Sequence, residues 1–81
     1  MKGHTLLALR DFNGLSQEEF SDKIGYARSS IAKVEAGHIE PSRRLISAIA
    51  RNFTITDDFI SYLRNFEKLN GINHDYTITA N

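Results

Sequence analysis

The sequence predicts an all-α domain of five short helices. Three observations lead there. Apolar residues recur mostly at helical rather than alternating spacing. Gly14, Gly25, Gly37 and Gly71 each follow a stretch of that kind, where a helix stop belongs. Ser16, Ser42 and Thr56 each stand where such a stretch begins, as capping residues do.

The first helix is expected over 5–13, with Leu6 and Leu9 inward and Gly14 as its stop. The second spans 16–24. Ser16 can cap it, Glu19 can reach back to complete a capping box, and Phe20 and Ile24 are its apolar anchors. Gly25 ends it. The third runs over 28–36 and stops at Gly37. The fourth covers 42–52 after Pro41, with Leu45, Ile46, Ile49 and Ala50 as its stripe. The fifth covers 56–70, with Asp57 and Asp58 in the first turn, where the helix dipole favours them. Its stripe is Phe59, Ile60, Leu63 and Phe66, flanked by Tyr62 and Leu69. Residues 1–70 make one domain and 71–81 a polar tail. The alternation Tyr76-Thr77-Ile78-Thr79 in the tail fits a strand, a disordered segment or the start of a linker.

Composition narrows the function. The 81 residues, 41% of them hydrophobic, suit a single small core. There is no cysteine, hence no disulfide framework and no thiolate metal site. His4, His38 and His74 are scattered, with no metal-ligand spacing, and no glycine-rich phosphate loop exists. The expectation is a non-enzyme without metal or cofactor. No apolar run approaches the ~18 residues of a membrane span, and no signal peptide is visible. A cytoplasmic, nucleoid-associated protein is expected. The net charge is zero but unevenly spread. Residues 11–22 hold Asp11, Glu18, Glu19 and Asp22 without a base. Residues 28–51 hold Arg28, Lys33, Arg43, Arg44 and Arg51 against Glu35 and Glu40. That second segment could be solvated surface or a footprint for phosphate.

Helices two and three, with a glycine-containing turn between them, form a helix-turn-helix unit. The second helix of such a unit lies in the DNA major groove. On Leu9-Arg10, Gly14-Leu15-Ser16-Gln17-Glu18-Glu19, Ile24-Gly25, Ser29-Ser30-Ile31, Val34-Glu35, Gly37 and Pro41-Ser42, the chain resembles the lambda-repressor-like (Cro/xenobiotic-response-element type) family. It departs at Ala27, where the family usually has a Ser or Thr cap, and at Phe20 and Tyr26, where aliphatics are usual. The resemblance implies a five-helix lambda-repressor-like fold. It also implies a sequence-specific DNA-binding transcriptional regulator of prokaryotic or phage type, a repressor that binds a two-fold operator as a homodimer.

A helical wheel at about 100° per residue puts Ile31 and Val34 on one face of helix three, and Arg28, Ser29, Ala32 and Lys33 on the other. Those four are the candidate base contacts. Arg and Lys suit guanine, Ser suits several base edges, and the Ala methyl suits a thymine methyl. Gln17 and Ser42, Arg43 and Arg44 stand at helix starts, where free N–H groups and side chains together suit phosphate. The resemblance makes Arg10 and Glu35 a partly buried structural pair. The dimer interface is expected at Tyr62, Phe66 and Leu69, with Ile60 or Ile72 as additions. The partners expected are double-stranded DNA and a second copy of the chain, with no membrane. The alternative is an antitoxin that binds its own promoter and a toxin protein. A third reading makes the chain the N-terminal module of a longer repressor.

Overall fold

The computed structural model describes residues 1–72. Its elements are α1 (Gly3–Phe12), α2 (Gln17–Ile24), α3 (Arg28–Glu35), α4 (Arg43–Asn52) and α5 (Asp57–Leu69), and no strand occurs among the described residues. The alternating stretch Tyr76–Thr79 lies outside them.

Local chemistry accounts for the helix ends. Ser16 Oγ accepts the Glu19 N–H at 3.0 Å, and Glu19 Oε1 accepts the Ser16 N–H at 2.8 Å. Two otherwise orphaned donors at the start of α2 are thereby satisfied reciprocally. The bond from the Ser16 backbone N–H, with its hydroxyl contributing less, holds the Glu19 carboxyl below its ordinary pKa. Gly25 closes α2 at φ 75°, in the left-handed region that a residue with a Cβ enters at a cost. Ser42 Oγ caps α4 through the Leu45 N–H, and Thr56 Oγ1 caps α5 through the Phe59 N–H, both at 3.1 Å. Ala27 precedes α3 and supplies no side-chain cap; its carbonyl accepts the Ser30 and Ile31 N–H groups instead.

The helices bury one face each into a shared core. Leu6 and Leu9 of α1, Phe20 of α2, Ile31 and Val34 of α3, Ile49 of α4 and Phe59 of α5 are all fully buried. Removing the Phe20 ring alone would cost about 3–5 kcal/mol at such a site. α1 is central. It packs against both α3 and α5, while α2 packs against α3 and α4. α1 and α5 run antiparallel. His4 meets Glu67 at one end, and the Phe12 and Phe59 rings lie 5.5 Å apart at the other.

Three expectations change. α1 begins at Gly3 rather than residue 5, with the Lys2 carbonyl accepting the Thr5 and Leu6 N–H groups. The missing side chain permits it: a Cβ on Gly3 would overlap the Val34 carbonyl oxygen. The buried stripe of α4 is Leu45, Ala48 and Ile49; Ile46 is half-buried and Ala50 exposed. Phe53, just beyond α4, continues that i, i+4, i+8 row and stacks on Phe20 at 5.1 Å, so the core closes on that side and leaves Ala50 outside. On α5, Ile60 is exposed and Glu67 is buried. Glu67 falls on the row of Phe59, Leu63 and Phe66, and its carboxylate is engaged by His4 at 2.7 Å.

The close approach at Gly3 gives a test. Alanine is the better helix former by about 1 kcal/mol. Gly3→Ala is nevertheless expected to destabilise the domain by about 1–3 kcal/mol, because α1 must move off α3. Urea denaturation measures this; a variant as stable as wild type would mean that the two helices are not in backbone contact.

Candidate nucleic-acid interface

The turn 25–27 presents α3 with its apolar face inward. Ile31 and Val34 are buried, so the opposite face is available to a ligand. Arg28, Ser29 and Lys33 are exposed there, and Ala32 is half-buried at the edge. The first turn of α3 carries no acidic residue.

Glu35, on the last turn of α3, ties this helix to two others. Arg10 of α1 reaches it in a two-pronged pair, Nε to Oε2 at 2.7 Å and Nη2 to Oε1 at 3.0 Å. The Arg10 Nη1 group donates to the Leu15 carbonyl at 3.0 Å and lies 3.6 Å from Asp11. Gln17 of α2 donates its Nε2 to the same Oε1 of Glu35, also at 3.0 Å. The side chains of Arg10 and Glu35 are 13% and 6% exposed, so water does little to weaken the pair. The hydrogen bond to Glu35 is the main cause of a raised Arg10 pKa. An arginine guanidinium is in any case a permanent cation.

Gln17 and Arg28 come together. With Arg10, Ser16 and Glu18 they line an open polar cleft of about 380 Å³ between the start of α2 and the start of α3. Ser42, Arg43 and Arg44 form a separate exposed group at the start of α4. The Ser42 oxygen is occupied as a cap acceptor, while its hydroxyl proton stays available to donate. The candidate dimer residues lie on α5. Leu69 is 87% exposed, Tyr62 and Phe66 are half-buried, and Ile72 is half-buried beyond the helix.

Two features escaped the sequence. Phe12 is 39% exposed and its ring lies 5.3 Å from Tyr62, which extends the apolar surface of α5 onto α1. The His4–Glu67 contact joins residues 63 positions apart, a pairing that no local pattern encodes. Among the described residues no group of three or more potential ligands could hold a metal ion, and no helix is long and apolar enough to cross a membrane.

Comparison with known proteins decides the family. A family model described as "Helix-turn-helix" matches residues 6–60, more than half of the chain. The chain belongs to this helix-turn-helix family, of the Cro/C1 type. The matched span runs from α1 into α5 and contains the whole recognition unit. The all-α architecture is that of the lambda-repressor-like fold. The chain is also 42% identical over 57 residues to an uncharacterized HTH-type transcriptional regulator of Archaeoglobus fulgidus, an alignment that covers 64% of this chain and 81% of that protein. No solved structure matches the chain. DNA-binding transcription regulation is the function associated with this helix-turn-helix family.

The buried pair of this helix-turn-helix domain has a testable asymmetry. Arg10→Met alone strands the Glu35 carboxylate and should cost about 3–5 kcal/mol. The double replacement Arg10→Met/Glu35→Leu removes both charges and should recover most of that loss. Urea midpoints at unchanged slope measure both. A double variant no more stable than the single one would contradict the account.

Proposed function

We propose that this protein is a non-enzymatic, sequence-specific transcriptional repressor that binds a two-fold operator as a homodimer, with α3 in the major groove. The observation that carries the proposal is the composition of the outward face of α3, Arg28, Ser29 and Lys33, set in a helix-turn-helix of this family. Arg28 and Lys33 read guanine edges, Ser29 contacts a base or phosphate, and the half-buried Ala32 offers a methyl to thymine. Gln17 holds a phosphate from the first turn of α2. Ser42, Arg43 and Arg44 hold another from α4, where the exposed guanidinium groups meet the backbone.

The dimer forms through α5. Phe12, Tyr62 and Phe66 are linked ring to ring, at 5.3 and 6.3 Å, and Leu69 follows Phe66 on the same side of the helix. The result is a continuous apolar surface ending in a leucine that the monomer leaves almost bare. Two copies joined there would set their α3 helices about 34 Å apart, one turn of DNA.

Selection of bound sequences from a random DNA pool tests the function directly: the expected outcome is one preferred site with two-fold symmetry. On that site Arg28→Ala and Lys33→Ala should each weaken binding by about 1–3 kcal/mol without loss of stability. Arg43→Ala and Arg44→Ala should weaken specific and non-specific DNA alike, and each should shallow the salt dependence by about one unit. Wild-type affinity in both α3 variants would refute the recognition surface. Sedimentation tests the interface: Tyr62→Asp and Leu69→Asp should each turn a dimer into a folded monomer. A dimer that survives both substitutions uses another surface.

A further inference from the structure

We propose that Glu35 is a positioning residue for DNA binding and acts through the amide of Gln17. The inference rests on the reading above that Gln17 meets a phosphate. A glutamine at the rim of a polar cleft has three side-chain torsions and, left alone, turns freely. Its amide can then face a phosphate with the oxygen, which repels the anion, as easily as with the nitrogen. Here one N–H of Gln17 is engaged by Glu35 Oε1 at 3.0 Å. This contact decides which end of the amide is nitrogen. It also leaves the second N–H as a donor for a phosphate oxygen in the cleft, where the cations Arg10 and Arg28 stand against the single exposed carboxylate of Glu18.

A bare carboxylate would be a poor choice for that task, since its charge opposes the phosphate. Arg10 resolves the conflict. Its guanidinium binds both oxygens of Glu35, at 2.7 and 3.0 Å, which neutralises the charge while Oε1 still accepts from Gln17. The pair therefore does more than join α1 to α3. It fixes in advance a neutral donor on α2 and reduces the entropy lost when DNA arrives.

A mutant cycle separates this role from a structural one. In the wild-type background Gln17→Ala should weaken a non-specific duplex about three- to tenfold, the range of one hydrogen bond. It should leave the salt dependence unchanged, because no cation is lost. In the Arg10→Met/Glu35→Leu background, where the charges are removed together, the same Gln17→Ala step should cost less than about twofold. An undiminished cost in that background overturns the role of Glu35 and leaves the phosphate contact standing. No cost in either background overturns the phosphate contact, and the inference with it.

A second measurement needs no variant. In the wild-type protein, NMR should show one Gln17 side-chain amide proton shifted downfield and slowed in exchange before DNA is added. The other should move on titration with duplex. Two protons that behave as in a solvated glutamine would overturn the proposal, whatever the stability of the double variant.

Discussion

Glu35 ends α3, and donors from α1 and α2 converge on its carboxylate. Ridge-into-groove packing leaves helices of eight residues considerable freedom to slide and roll, because each contributes only two or three buried side chains. A planar carboxylate gripped by a planar guanidinium has far less freedom, since two parallel bonds fix distance and tilt together. The same arginine holds the Leu15 carbonyl, which locates the connection into α2. Net stability from such a pair is small, because both ions lose their water. What it supplies is registry: the rotation of α3 about its own axis, on which the direction of Arg28 and Lys33 depends.

Around this tie the domain divides its labour. The capping box and Gly25 set the two ends of α2 locally, and Phe20 anchors it beside α4 through the ring of Phe53. α3 lacks a side-chain cap at Ala27 and has only eight residues, too few to be stable as an isolated helix. Its order comes from Ile31 and Val34 beneath it, from Glu35 at its end, and from the first turn of α1 pressed against its carbonyls. A helix held by its neighbours in this way keeps its outer face free of structural duties.

Signals confined to a few residues were legible in the chain. Ser16 with Glu19, the stop at Gly25, the caps Ser42 and Thr56 and the wheel of α3 are all patterns of short range, and the helices they delimit stand within a residue or so of expectation. What was not legible depends on partners far along the chain. Gly3 looked like a residue ahead of a helix, and only the position of Val34 explains why a helix can pass through it. Ala50 and Ile60 satisfied the apolar spacing of α4 and α5, but Phe53 and Glu67 took the inward places once α2 and α1 had been laid against them. Phe12 stands at helical spacing from Leu9 and Ala8, but its ring partners Phe59 and Tyr62 lie on a different helix, so its place beside α5 could not be read from α1 alone. For the interface the same distinction holds. Helix geometry shows that Arg28, Ser29 and Lys33 share a face, whereas the engagement of Gln17 by Glu35 required coordinates.

The antiparallel lie of α1 on α5 has a consequence for how the chain folds. Every other major helix contact joins elements that are close neighbours in sequence, or nearly so, as between α2 and α3 or α2 and α4. The contact between His4 and Glu67 closes a loop of nearly the whole domain, and its entropic cost falls due in a single step. The recognition unit can thus assemble early from short-range contacts, in the fast regime of helical proteins, while α5 docks onto α1 as a later event. Pairing of two copies through that helix would stabilise the docked form by mass action, so that assembly of the dimer and closure of the fold reinforce one another.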